Sequence, residues 1–345
     1  REIRATPAIG EPLQTVFFGG GTPSLLAVAQ VEQVLKTLTA QFGLAPTTEI
    51  SMEMDPGTFT RDELRSLQQV GINRVSLGVQ AFNDEQLAAC GRTHRVKDVH
   101  QAIADLTAVQ IPAWSLDLIS GLPHQTLADW TAALEQASDY APPHLSVYDL
   151  TVEPGTVFHH RYTAGQSPLP SDDLTTEMYR LAQQHLTQAG YQHYEISNYA
   201  RPGYHCQHNR VYWENRPFYG FGMGAASYLQ QQRFQRPRTT HAYEDWVEQY
   251  CATGLPQEAS TLGDRWLDRL MMGLRLSEGV SLDALTQEFG GDLVERLRDC
   301  LRPYQHKGWV MMTEPPTAVV KFTDPEGFLF SNVVLVKLFE TFDDA

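Results

Sequence analysis

The stretch VFFGGGTPSLL, Val16–Leu26, runs from an apolar segment into three consecutive glycines, then Thr-Pro-Ser and a helical pattern. This succession predicts a strand, a tight turn and a helix. Backbone without Cβ atoms can approach a bound molecule closely, so Gly19, Gly20 and Gly21 indicate a ligand beside the turn. The glycines alone also fit a plain strand-to-helix turn, since neither a following Lys-Ser/Thr nor a GxGxxG spacing is present.

The same succession recurs through the first half of the chain. Five segments rich in Val, Ile and Leu follow one another: QTVFF, TEISMEM, INRVSLGVQ, AWSLDLISGLP and HLSVYDLTV. Helical periodicity predicts helices between them, at Leu25–Phe42, Arg61–Val70, Asp84–Cys90, Val96–Val109 and Thr126–Ser138. This alternation predicts an α/β fold with a parallel sheet, whose ligand-binding rim lies at the carboxyl ends of the strands.

Composition excludes several classes of partner. The net charge of −15 over 345 residues argues against nucleic acid or an anionic membrane surface as the main partner. No segment reaches the roughly 18 apolar residues of a membrane span, and the opening residues lack a signal-peptide pattern, so we expect a cytoplasmic protein. The 4 cysteines are far apart and include no CxxC, which predicts reduced, mostly buried thiols.

The pattern changes after the fifth predicted strand. We assign residues 1–155 to the barrel, 156–259 to an aromatic-rich extension with irregular or short-strand character, and 260–345 to a winged-helix-like α+β domain. The last region has three helical patterns, a two-stranded wing and a final helix. It carries 9 Lys/Arg against 14 Asp/Glu, so we expect a structural or docking role rather than DNA binding.

Four polar side chains are predicted to reach the rim. Alternation with two methionines directs Glu53 toward the barrel mouth, where it can accept from an ammonium group or form a structural ion pair. Gln80 can bridge ribose hydroxyls, and Arg92 can hold a carboxylate. Asp117 lies inside an apolar strand and therefore needs a polar partner. Ammonium, carboxylate and diol are together the polar groups of a nucleoside joined to an amino acid.

Five motifs in order resemble those of a known family: FFGGGTPSLL, EISMEMDPGTF, GINRVSLGVQAFNDEQL with GRTH, DLISGLPHQT and LSVYDLTVEPGT. They resemble radical S-adenosylmethionine proteins of the oxygen-independent coproporphyrinogen oxidase group, and within it the HemW-type haem chaperones. The resemblance implies a partial (β/α)6 barrel, with its first strand missing here, that binds S-adenosylmethionine across its rim. The matching positions are Gly20, Gly21, Thr22, Glu53, Gln80, Arg92 and Asp117.

Members of this family also carry a CxxxCxxC loop whose thiolates hold a [4Fe–4S] cluster. This sequence has no such loop, so the resemblance gives it no metal ligands of its own. Either the sequence lacks an N-terminal segment of a longer protein, or it is a natural member that lost the cluster. We expect the first, because loss of the first strand would leave one flank of the sheet unpaired.

The segment HNRVYW, His208–Trp213, matches the HNxxYW pattern of the HemW type. The resemblance implies that His208 binds haem. Without the resemblance, such a histidine is more often a structural residue. His205 and Cys206 lie three and two residues before His208 and are alternative haem ligands by their position in the sequence. Three functions remain open. They are a haem chaperone that delivers haem to membrane-bound respiratory proteins, an oxygen-independent coproporphyrinogen III oxidase, and a cofactor-free docking scaffold.

Overall fold

The computed structural model describes residues 1–254, 260–314 and 316–343. The chain divides into two compact units, which are described separately. The barrel unit comprises Thr15–Val31 and Glu49–His205, and the second unit comprises Arg1–Gln14, Glu32–Thr48 and Cys206–Ala345. The three predicted domain boundaries stay a prediction.

A curled seven-stranded half-barrel sheet forms the centre of the fold. Its strands are β1 (Leu13–Phe18), β2 (Leu44–Met54), β3 (Arg74–Gln80), β4 (Ala113–Ser120), β5 (His144–Asp149), β6 (Gln192–Glu195) and β7 (Asn198–Ala200). Their order is β1-β2-β3-β4-β5-β7-β6. Strands β2 to β5 pair in parallel with one another, whereas β7 is antiparallel to both β5 and β6. The predicted α/β partial barrel is therefore confirmed.

The two faces of this sheet differ in chemistry because side chains alternate along each strand. One face is apolar and fully buried, with Met52, Leu77, Leu116 and similar side chains. The other carries small hydroxyls and carboxyls: Ser51, Glu53, Ser76, Ser115, Asp117 and Ser146. A closed barrel normally fills this inner face with branched apolar side chains. A polar inner face instead suits a ligand channel.

Helices of the barrel unit begin at residues that cap them. The helices are α3 (Arg61–Gln69), α4 (Asp84–Ala89), α5 (Val96–Val109), α6 (Leu127–Asp139), α7 (Val157–Arg161) and α8 (Asp172–Gln188). Thr60 with Glu63 and Thr126 with Asp129 form capping boxes at α3 and α6, and Asn83 caps α4. These caps satisfy backbone N–H groups that have no partner in the first turn.

The remaining elements begin and end as follows: α1 (Glu2–Ala5), α2 (Val28–Phe42), α9 (Gln207–Trp213), β8 (Ala226–Leu229), β9 (Gln232–Gln235) and α10 (Thr240–Thr253). Helix α2 is shorter than predicted, because Pro23–Leu25 form a separate 3-10 turn and Leu26 is extended. Helix α9 lies in the segment for which the sequence predicts irregular or short-strand structure.

The carboxyl-terminal region contains the three predicted helices, the two predicted wing strands and the predicted last helix, together with a further strand and a further short helix that the sequence does not predict. They are α11 (Leu262–Gly273), β10 (Val280–Ser281), α12 (Leu282–Phe289), α13 (Gly291–His306), β11 (Val310–Met312), β12 (Val319–Phe322), α14 (Glu326–Leu329) and α15 (Ser331–Phe342). Strand β12 pairs antiparallel with β10 and β11. Trp266 is fully buried among aromatic rings, with Phe289 and Phe342 edge-on at 5.2 and 5.5 Å.

Candidate functional site

The glycine turn after β1 forms one side of the rim. Gly20 and Gly21 have φ angles of +79° and +63°, a region that favours glycine, and a Cβ on either would point into open space. A Cβ on Gly19 would overlap the Phe17 ring. The Gly20 N–H donates to Glu53 Oε2 at 2.9 Å. The turn therefore presents bare backbone beside a carboxylate. Thr22, half-buried, ends the turn.

The end of β3 holds the second part of the rim. Gln80 is buried at φ +68°, a strained conformation for a residue with a side chain. A Cβ on Gly78 would lie 3.0 Å from the Gln80 amide nitrogen and 2.9 Å from Asp55 Oδ1, so a side chain at this position would displace these two polar groups. Arg92 donates through Nη1 to the same Asp55 oxygen at 3.2 Å. These contacts bring Gln80 and Arg92 together around Asp55.

Asp55 was missing from the set of site residues chosen from the sequence. It follows Ser51 and Glu53 at a spacing of two, which places all three on the inner face of β2, and that periodicity is the signal for it. Because Asp55 is 26% exposed at its side chain and Arg92 is 34% exposed, the pair remains accessible to a ligand. Asp55 orients the guanidinium on which the proposed carboxylate contact depends.

Asp117 lies deeper, on β4. Ser76 donates to its Oδ2 at 2.7 Å, Ser115 donates to its Oδ1 at 3.2 Å, and Ser146 bonds to it from β5. Desolvation by burial raises the pKa of the half-buried Asp117 to about 6, the three serines oppose this rise, and the nearby Glu53 carboxylate adds to it. The expected polar partner of this buried carboxylate is thus a set of hydroxyls from three adjacent strands.

Replacing Asp117 by asparagine tests the cost of this carboxylate. The folded-state pKa of about 6 lies above the ordinary 3.8. The folded protein therefore binds the proton more tightly than the unfolded chain, and stability falls as pH rises from about 4 to 6. We expect Asp117→Asn to remove this fall and to raise the free energy of unfolding at pH 7 by about 2–3 kcal/mol.

Urea unfolding of both proteins between pH 4 and 8 measures this difference. Asp62→Asn is the matched control, because Asp62 is 90% exposed at its side chain. Parallel pH profiles for wild type and Asp117→Asn would contradict the assignment of a strained, ionised Asp117.

His208 lies on α9, in the second unit. Its Nε2 is 2.8 Å from the Tyr212 hydroxyl oxygen, and the two rings meet edge-on with centroids 5.0 Å apart. Burial lowers the His208 pKa to about 4, so the imidazole is neutral near pH 7. A neutral imidazole is the form that binds a metal ion. His208 belongs to the second unit, and the rim residues belong to the barrel unit.

Ionic and aromatic contacts hold α9 to α11 and to the residues that follow α11. Arg210 bonds to Glu278 at 2.8 Å as well as to Glu214, one turn along α9. Arg269, on α11, donates to the Glu214 carbonyl oxygen at 3.0 Å. The Arg275 guanidinium lies 5.2 Å from the centre of the Trp213 ring. These contacts fix the orientation of the histidine helix against the carboxyl-terminal region.

The competing histidine and cysteine have other surroundings. His205 stacks on Tyr194 at 4.2 Å and bonds to Gln192 through Nε2. Cys206 is buried, and the four cysteines form no disulfide. Within residues 1–254, 260–314 and 316–343, no three His, Cys, Asp or Glu side chains are grouped to hold a metal ion. The described residues therefore do not fit a [4Fe–4S] cluster.

Comparison with known proteins identifies the class. The sequence model of the Radical SAM superfamily matches residues 1–137, and that of the HemN C-terminal domain matches residues 261–314. A solved structure of coproporphyrinogen III oxidase (HemN) from Escherichia coli superposes with a TM-score of 0.78 at 23% identity, covering 96% of this chain and 78% of that one. The fold is therefore that of a radical S-adenosylmethionine protein.

Curated relatives identify the family. The haem chaperone HemW of Synechocystis sp. is 45% identical over 358 residues, covering 100% of this chain and 87% of the relative. HemW of Bacillus subtilis is 32% identical, covering 90% and 83%. The chain belongs to the HemW family of haem chaperones. In the described part of the chain, no helix combines the length and apolar character needed to cross a membrane.

Proposed function

We propose that this protein binds haem through His208 and delivers it to membrane-bound respiratory haem proteins. The observation that carries the proposal is the neutral His208 imidazole on α9, inside the HNRVYW motif. A neutral imidazole does not have to lose a proton before its unprotonated nitrogen binds iron. The aromatic side chains Tyr212 and Phe218, edge-on at 4.6 Å, supply apolar surface beside it for a flat macrocycle.

The proposal also assigns S-adenosylmethionine to the rim. Glu53 accepts from its ammonium group, Arg92 holds its carboxylate, and Gln80 contacts the ribose, with Gly20, Gly21 and Thr22 providing backbone and hydroxyl contacts. Asp117, which lies deeper on β4, contributes a carboxylate near Glu53 to the same pocket. When bound, S-adenosylmethionine would supply a sulfonium-bearing nucleoside, and the residues of this chain would bind and orient it. The absence of disulfides among the four cysteines supports a reducing compartment such as the cytoplasm.

A transfer assay tests delivery. The protein is loaded with haemin, freed of excess ligand, and mixed with vesicles containing a haem-depleted respiratory cytochrome. We expect the Soret band of the cytochrome to appear while that of the loaded protein declines, and faster than with haemin-loaded serum albumin at the same concentration. Equal rates would mean passive release and would refute the delivery function. Decarboxylation of coproporphyrinogen III by the protein would instead favour the oxidase.

A further inference from the structure

The Nε2 atom of His208 is already engaged by a side chain of the same helix. His208 and Tyr212 are four residues apart on α9, so they lie on one face, and the 2.8 Å contact joins Nε2 to the phenol oxygen. If the hydroxyl donates, it uses the Nε2 lone pair; if Nε2 donates, that nitrogen carries a proton. In both cases Nε2 has no free lone pair to offer to iron.

Tyr212 is held in this position by its surroundings. Its ring is edge-on to both His208 and Phe218, with interplanar angles of 85° and 88°. Tyr212 is half-buried, and a tyrosine phenol, with an ordinary pKa of about 10, keeps its proton at physiological pH. A neutral phenol is a poor iron ligand but a good hydrogen-bond partner for imidazole. Tyr212 can therefore cover the Nε2 atom of His208 reversibly; we call this a cap on the histidine.

We propose that Tyr212 caps His208: its hydroxyl competes with haem iron for Nε2, and this competition keeps haem binding reversible. The inference rests on the proposed function, in which His208 is the axial ligand. Iron binding requires the hydroxyl to turn away from Nε2, and its return assists release of the iron. A carrier benefits from such a device because it must give up the haem that it binds.

Replacing Tyr212 by phenylalanine removes the hydroxyl and keeps both ring contacts. A neutral hydrogen bond contributes about 0.5–1.5 kcal/mol, so we expect Tyr212→Phe to bind haemin about two- to tenfold more tightly. Haemin dissociation, followed by capture with apomyoglobin, should slow by a similar factor. The matched control is Tyr250→Phe, which removes a buried hydroxyl bonded to Thr6 at 3.0 Å in the same unit. It should leave haemin affinity unchanged.

The double variant separates this inference from the proposed function. With His208 replaced by alanine, adding Tyr212→Phe should change nothing, because the cap has no nitrogen left to cover. Unchanged or weaker haemin binding in Tyr212→Phe, with His208→Ala still losing haemin, overturns the cap and leaves His208 as the ligand. A wild-type haemin spectrum in His208→Ala overturns the ligand assignment itself. Thermal unfolding and circular dichroism establish that each variant is folded.

Discussion

Haemin affinity falls about 100-fold when His208 is replaced by alanine. Outer-shell partners of a metal ligand contribute about 10- to 100-fold to metal affinity, and this substitution removes the proposed ligand itself, so we expect the upper end of that range. The Soret band should shift and weaken as the axial nitrogen is lost. Titration of haemin into the wild type and the variant, followed by absorbance, gives both quantities.

Two neighbours of His208 serve as controls for this experiment. His205→Ala removes an imidazole that stacks on Tyr194, and Cys206→Ala removes a buried thiol. Both should retain wild-type haemin spectra. Because the His208 pKa is about 4, the wild-type affinity should also stay constant from pH 8 down to about 5. A loss of haemin in Cys206→Ala with retention in His208→Ala would transfer the ligand role to the thiol.

S-adenosylmethionine affinity falls by about 10- to 100-fold when Glu53 is replaced by glutamine. A hydrogen bond to a charged group contributes about 1.5–3 kcal/mol, and Gln cannot match the charge of a ligand ammonium. The substitution is nearly isosteric, and the amide oxygen can still accept from the Gly20 N–H. Calorimetric titration with S-adenosylmethionine measures the change.

A second readout ties Glu53 to the deeper carboxylate. The Glu53 charge contributes to the raised pKa of Asp117, so Glu53→Gln should move the Asp117 titration to lower pH. The acid limb of the S-adenosylmethionine affinity profile should shift with it. Glu135→Gln, an exposed change of the same kind on α6, serves as the control. Equal affinity in Glu53→Gln and Glu135→Gln would refute the ammonium contact.

Sequence periodicity was sufficient for the architecture of the barrel unit. Period-two alternation in SMEMD predicts that Glu53 shares a face with Ser51, and the apolar burial of Met52 and Met54 agrees with it. Local capping signals such as Thr60 with Glu63 place helix starts without reference to the rest of the chain. Such features depend on residues a few positions apart, so the sequence carries them directly.

The structure of the segment after the barrel could not be predicted from the sequence. Its aromatic residues have modest helix propensity, so no local pattern predicts α9. The contacts that hold α9 join residues far apart in the sequence: Arg210 and Glu278 are separated by 68 residues, and Glu214 and Arg269 by 55. Strand β7 likewise takes its place by pairing with β5, which precedes it in the chain by about 50 residues.

The sequence by itself determined the α/β alternation, the faces of the strands and the motif positions, because each follows from side-chain periodicity or short spacing. Only the tertiary structure decided that Asp117 lies half-buried among serines of three strands and that Asp55 orients Arg92. It also decided that Tyr212 occupies His208 Nε2, since that contact requires α9 to form. Burial, pKa and hydrogen-bond partners depend on atoms brought together from distant parts of the chain, and no local pattern encodes them.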